Sequence, residues 1–326
     1  MQTIKQLRFA VIVLCSITLL AACRKDGVVK SATDDPKPNA GQVLTPVGYM
    51  DQEKVHFIPQ GYHLNVAGGR LQKIETSTGK VVEDFGEVKP LERRYNRLAS
   101  AVEAAGSRGG SPIVPYVQGW IAYTYWNNSS TSTPITNFTT TWTVPNAPST
   151  KGSQTIFLFN GMQDGTTSTS YIIQPVLQWG PSAAGGGKYW AITNWYVSSS
   201  QAFYGSLVTV SAGASLTGVM KQTAVSGSNY SYNSSFTGYA AASALQVNNV
   251  PQAFWAAETL ESYGVSNPST MYPTNTDVRL TGIGILEGST HPTITWTPVQ
   301  ATAGSAQKAV VVSNSTTNGE VDIYFR

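Results

Sequence analysis

Cysteine is nearly missing from this 326-residue chain: only Cys15 and Cys23 are present, both near the start. A disulfide scaffold needs paired cysteines spread through the fold, so none holds the body of this chain together. Histidine is as scarce, at three residues, and offers no multi-ligand metal site. Charge is thin as well, at 12% of residues, about half the usual share for a globular protein. The formal net charge is +3 with no basic run, which argues against a nucleic-acid partner. Disorder is excluded from the other side, because 10% of residues are aromatic and 41% are hydrophobic. The length is ample for a sizeable core. Nothing in the sequence asks for a cofactor or a metal.

The long apolar run at the start is short for a membrane span. Lys5 and Arg8 form a positive leader, and Phe9 to Leu20 is a mostly apolar segment. It ends in Leu20-Ala21-Ala22-Cys23, which resembles the lipobox of bacterial lipoproteins. The resemblance implies cleavage before Cys23 and lipidation of its thiol. Cys15 leaves with the leader. Residue 24 is Arg rather than Asp, so nothing argues for inner-membrane retention. The expected location is the outer membrane or cell surface.

Composition divides the rest. Residues 1–22 read as the signal peptide. Residues 23–45, with Asp34, Asp35, Pro36, Pro38, Asn39 and Gly41, read as a flexible tether. Residues 46–105 form a small segment with strand-like runs at Val55–Ile58, Tyr62–Val66 and Leu71–Ile74, and one short helix over 91–105. Residues 106–115 are a Gly/Ser/Pro linker. Residues 116–326 carry only 6 of the 21 Lys and Arg and 7 of the 18 Asp and Glu. They hold recurrent short β-rich runs separated by turn clusters, from Trp120–Trp126 to Thr293–Thr297, Lys308–Val312 and Val321–Phe325. That pattern predicts an all-β domain, an antiparallel sandwich or barrel able to fold without residues 1–115.

With so few acids in this domain, each is informative. Glu258 closes the apolar run Ala253-Phe254-Trp255-Ala256-Ala257-Glu258. A carboxylate at the edge of buried surface has its pKa raised toward a useful acid–base range. A solvent-facing strand end is the alternative. In Ile172-Ile173-Gln174-Pro175-Val176-Leu177-Gln178, Gln174 and Gln178 share one strand face. In Tyr189-Trp190-Ala191-Ile192-Thr193-Asn194-Trp195-Tyr196, Trp190, Asn194 and Tyr196 share another. An amide among aromatics suits a ligand groove or an ordinary aromatic core.

The order of these runs resembles the eqolisin-type glutamic peptidases. Gly119-Trp120 and Phe138 to Pro145 are similar to that family's opening strands. Phe159-Asn160-Gly161-Met162-Gln163-Asp164-Gly165 is similar to its Trp-Val-Gly-Ile-Asp-Gly with one residue inserted. Val176-Leu177-Gln178-Trp179-Gly180 looks like Ile-Leu-Gln-Thr-Gly, and Ala253 to Glu258 looks like Ala-Glu-Phe-Ile-Ile-Glu. The match covers roughly residues 116–285. It implies a concanavalin-like jelly roll of two bent antiparallel sheets, a peptide substrate, Glu258 as general base and Gln178 as its partner on one concave face. Asn194, Gln174, Asp164, Phe159, Trp190 and Tyr196 are the expected substrate contacts. Glu261, of opposite parity to Glu258, is expected to tolerate Gln. A basic propeptide precedes the catalytic domain in that family, so residues 46–98 acquire a groove-covering reading, with Arg93, Arg94 and Arg97 near their end.

The chain departs from the family pattern at Asn194, where the family has Glu, at Ile192, where it has Trp, and at Phe159, also Trp in the family. The rival reading is a non-catalytic surface lipoprotein that binds carbohydrate or another ligand, with Trp190, Trp195 and Tyr196 stacking on sugar rings. A serine hydrolase built on His291 lacks a G-x-S-x-G turn. The two main readings part on one observation: Glu258 and Gln178 on opposite sheet faces would undo the glutamic-peptidase assignment and put sugar binding by the aromatic groove in its place.

Overall fold

Strands rich in aromatic and β-branched residues, broken by glycine turns, assemble into two large sheets in the computed structural model. It describes residues 39–89, 118–128, 132–165, 171–198, 200–302 and 304–326. Sheet I runs in the order β19 (Thr297–Gln300), β7 (Gly119–Asn127), β17 (Trp255–Tyr263), β9 (Thr155–Gln163), β10 (Tyr171–Ser182), β11 (Gly185–Ser198), β12 (Ala202–Tyr204) and β3 (Val55–Phe57), with β13 (Val208–Thr209) also on β11. Sheet II runs β20 (Lys308–Ser313), β21 (Gly319–Tyr324), β18 (Asp277–Glu287), β8 (Ile135–Thr143), β14 (Ser215–Ser226), β15 (Asn229–Phe236), β16 (Leu245–Val250), β4 (Tyr62–Ala67), β5 (Arg70–Glu75) and β6 (Val81–Glu87). A separate hairpin joins β1 (Gln42–Thr45) to β2 (Gly48–Asp51).

The two sheets bury their facing sides against each other, as an all-β sandwich must. Trp126, Leu158, Met162, Leu177 and Ile192 of sheet I meet Phe138, Trp142, Met220, Tyr232 and Leu280 of sheet II in one apolar core. Sheet II is covered on one side only, and its strands alternate accordingly. Phe138, Thr140 and Trp142 of β8 are buried, whereas Thr139 and Thr141 are not. Sheet I is different. Strands β9 and β17 are buried at all nine positions, which requires cover on both faces. The far face of sheet I carries a second apolar cluster that includes Phe157, Phe159, Ile172, Val176, Trp195, Ala257 and Tyr263, and Leu44 of the β1–β2 hairpin packs into it.

At Gly218 of β14, which faces sheet I, only glycine fits. A Cβ at Gly218 of β14 would lie 2.6 Å from Asn160 Oδ1, 2.8 Å from Pro175 Cγ and 3.0 Å from the Trp142 ring. Proline and a buried indole cannot swing aside. Gly218→Ala should therefore destabilise the sandwich by about 1–3 kcal/mol, read as a lower melting temperature.

The N-terminal segment differs from its sequence reading. Residues Gln42–Thr45, read as tether, are strand β1. Strands β3 and β4, read as part of a separate small unit, extend the two large sheets through parallel pairings with β12 and β16. These are the only parallel neighbours among the described strands, so the sheets are mixed rather than wholly antiparallel. Of the run Thr293–Thr297, only Thr297 enters a strand, β19. The signal, Cys23, the helix over 91–105 and the linker 106–115 lie outside the described residues.

Candidate active site

Strand register decides which side chains meet. Glu261 of β17 is opposite Phe157 of β9, and Phe157 is opposite Gln178 of β10. Side chains directly opposite share a sheet face. Glu261 and Gln178 therefore stand in one row on the outer face of sheet I, two strands and about 10 Å apart at Cα. Thr259 and Phe159 share that face one step along. Glu258 is opposite Asn160, three residues from Glu261, and so points the other way, toward sheet II. The expected pairing of Glu258 with Gln178 across one face is corrected: they lie on opposite faces, so the peptidase assignment built on that pair falls, and the sugar-stacking alternative loses Trp190 and Tyr196 to the inner core.

Glu258 belongs to the interior. It is fully buried, and the Thr140 hydroxyl of sheet II donates to its Oε1 at 2.5 Å. Its Oε2 has no partner among the described residues, nor do both amide atoms of the adjacent Asn160 and the hydroxyl of Thr124. Burial pushes the Glu258 carboxyl well above the usual range, and the Thr140 hydrogen bond offsets this only in part. It is held between the two sheets, on the face away from Gln178.

Three further expected contacts also face inward. Asn194 of β11 donates to the Ser243 carbonyl at 2.7 Å and accepts from the Ser234 hydroxyl of β15 at 2.7 Å. It is a fully buried brace between the sheets rather than a groove residue. Trp190 packs edge-on against Trp179, and Tyr196 stacks on Tyr171, both in the inner core. Asp164 follows β9 and accepts from the Tyr171 amide at 3.4 Å. Gln174 and Phe159 do stand on the outer face with Gln178, Phe159 edge-on to Trp120.

The outer face supplies an acid and an amide. The Tyr263 hydroxyl donates to Glu261 Oε1 at 2.5 Å, and Oε2 is unpartnered among the described residues. Burial raises the Glu261 carboxyl to about 8, with the Tyr263 hydrogen bond working in the opposite direction. Gln178 is held in its rotamer by its own turn. Its Nε2 donates to the carbonyls of Gly180 at 2.7 Å and Gly185 at 2.8 Å, and its Oε1 accepts from the Ser182 hydroxyl at 2.8 Å. The turn lies so close that a Cβ at Gly186 would sit 2.4 Å from Gln178 Nε2, at a φ of +100°. Glycine is required there twice over, by space and by conformation.

The β1–β2 hairpin spans both groups. At one end the Ala183 amide, inside the Gln178 turn, donates to the Leu44 carbonyl at 2.8 Å. At the other, Tyr49 meets the Tyr263 ring edge-on at 6.1 Å, and Gly48 lies beneath the Tyr263 hydroxyl. The described structure is thus a covered one.

Sequence reasoning missed Tyr263 and Ser182, and set Glu261 aside as an acid that tolerates Gln. One signal was available for Glu261. Ala256-Ala257-Glu258-Thr259-Leu260-Glu261 is also six residues long and also ends in Glu. A reading three residues later would have chosen the acid that shares a face with Gln178. Among the described residues, no group of three or more His, Cys, Asp and Glu side chains could hold a metal ion.

No family model matches this chain, and no curated protein does. Among solved structures it is similar to scytalido-glutamic peptidase with a transition state analog inhibitor, at 15% identity over 64% of this chain and 98% of that one, with a TM-score of 0.40. It is similar to SCP-B, a member of the eqolisin family of peptidases in a complex with the tripeptide Ala-Ile-His, at 13% identity over 64% and 98% of the two chains, with a TM-score of 0.39. The CBM2 module of Lactobacillus casei BL23 phage J-1 evolved Dit matches at 12% identity over 68% and 85%, with a TM-score of 0.28.

Proposed function

We propose that this chain is a glutamic-peptidase-like hydrolase in which Glu261, not Glu258, is the acid–base residue and Gln178 its amide partner. The observation that carries this is the shared row: Glu261 and Gln178 flank Phe157 on one sheet face. Peptide hydrolysis needs a base for water and a donor for the tetrahedral oxyanion. Ionised Glu261 takes a proton from water as the oxygen attacks the carbonyl carbon. The Gln178 amide donates to the carbonyl oxygen as it gains charge. Protonated Glu261 then gives that proton to the leaving nitrogen, and the C–N bond breaks. Both Gln178 donors are engaged by its own turn in the covered state, so the turn over 182–185 shifts before Gln178 can serve. Tyr263, hydrogen-bonded to Glu261, fixes the carboxyl's orientation.

The test is a digest of denatured protein across pH 3–10, read by mass spectrometry, with cleavage rising toward and above pH 8 as Glu261 ionises. The wild-type chain should yield defined cleavages. Gln178→Ala should cost on the order of 10²–10³ in turnover while the fold is retained, the expected loss for one oxyanion donor. A wild-type chain that leaves every substrate intact, or a Gln178→Ala chain as fast as wild type, would count against the reading.

We further propose that the chain is exported and lipid-anchored to the bacterial cell envelope through Cys23. The support is the leader followed by Leu20-Ala21-Ala22-Cys23. Cys23→Ser should move the protein from the membrane fraction to the soluble one. A variant that still sediments with membranes would refute the anchor.

A further inference from the structure

Gln174 is the most conspicuous polar side chain that the reaction leaves unused. It lies on the same strand and the same face as Gln178, four residues away, and is opposite Trp195 of β11. It is fully buried. Neither its Nε2 nor its Oε1 has a hydrogen-bond partner among the described residues, and the indole N–H of Trp195 has none either. Asn160 shares this state, but on the inner face between the sheets; Gln174 is on the outer face with Gln178. Asn194 and Gln178 use both ends of their amides within the fold. A buried amide left unmet costs more than its hydrogen bonds would gain, and on the face that carries Glu261 and Gln178 such a group is placed to take its partner from a bound peptide.

The chemistry of that partner follows from the donors and acceptors. Gln174 offers one carbonyl and one NH₂ group, which match the N–H and C=O of a peptide group, and Trp195 adds a donor only. The flanking residues on the face, Ile172 and Val176, are apolar and compete for no hydrogen bond. Four strand residues separate Gln174 from Gln178, about 13 Å, which is the reach of about four residues of extended peptide. The geometry points to Gln174 and Trp195 as an amide-reading subsite that grips the backbone of an extended peptide substrate about four residues from the bond that is cleaved. This rests on the peptidase reading of the same face, and makes the enzyme one that selects long, unfolded peptides.

The experiment uses the full chain and blocked peptides of four, six, eight and ten residues centred on one Phe–Ala bond. With wild type, kcat/KM should rise with length until the peptide reaches the subsite. Gln174→Leu should lose that gain, about 10- to 100-fold on the ten-residue peptide and carried in KM, with the four-residue peptide unchanged. It should melt no lower than wild type, because an apolar group replaces an unmet amide. An equal loss at every length, a wild-type rate on the ten-residue peptide, or a lower melting temperature would overturn the subsite. If wild type cleaves none of these peptides, binding of the ten-residue peptide is measured by calorimetry on Glu261→Gln and on the double variant with Gln174→Leu. Weaker binding to the double variant then sustains the subsite while the catalytic reading falls, and equal binding overturns the subsite itself.

Discussion

Glu261→Gln should lower hydrolysis by about 10²–10⁴-fold, the share that acid–base catalysis contributes, while Glu258→Gln should leave turnover unchanged. The two acids sit three residues apart on one strand, and both are fully buried. Only their faces differ. Glu261 looks out along the row that ends at Gln178, and Glu258 looks into the sandwich at Thr140. Glutamine keeps the shape of either side chain. At position 261 it can still accept from Tyr263, so the fold survives while the proton carrier is lost. At position 258 it can still accept from Thr140. Steady-state rates of both variants on one substrate, with circular dichroism to confirm the fold, decide the matter. A Glu261→Gln chain with wild-type turnover would sink the assignment.

The protein should be more stable in acid than at neutral pH, which is the reverse of most globular proteins. Both buried carboxyls have folded-state pKa values raised above the ordinary one by desolvation, Glu261 to about 8 and Glu258 well above its usual range. A raised folded pKa means that the folded state binds the proton more tightly than the unfolded state does. The resulting stabilisation is fully present below the unfolded carboxyl pKa and is lost as pH rises through the folded values. For Glu261 the window runs from an ordinary value of 4.5 to about 8. Within such a window each group removes about 1.4 kcal/mol per pH unit. Melts between pH 4 and pH 9 should show a falling melting temperature. Glu258→Gln, which cannot ionise, should flatten that fall and melt above wild type at the alkaline end. A wild-type melting temperature that climbs toward neutral pH would show that neither carboxyl is held neutral.

Sheet I was the more legible of the two in the sequence. Its central strands β9, β10 and β17 are buried on both faces and rich in aromatic and aliphatic residues, which makes Thr155–Phe159, Tyr171–Trp179 and Ala253–Thr259 readable as β-rich from sequence. Strands β14, β15, β16 and β18 of sheet II were passed over. Their solvent faces are written in Thr, Ser, Asn and Gly, as in Asn229–Phe236, where Tyr232, Ser234 and Phe236 point inward among polar neighbours. At the site, parity placed Gln174 and Gln178 together, and the structure agrees. Parity could not say which acid joined them. That depends on the pairing of β17 with β10 through β9, a relation between strands almost a hundred residues apart. The double-sided burial that made β17 visible also erased the inside–outside pattern that would have separated Glu258 from Glu261.

Strands β3 and β4 are separated by four residues, yet they join different sheets, β3 beside β12 and β4 beside β16. One short stretch of chain thus closes the same flank of both layers, like a clasp. A chain begun at residue 116 would leave β12 and β16 with open rows of amide and carbonyl groups, the template on which strands of other molecules add. The consequence concerns self-association rather than stability alone. The truncated protein should form oligomers by edge-to-edge pairing even where its core is intact, and light scattering after size exclusion should show this growing with concentration.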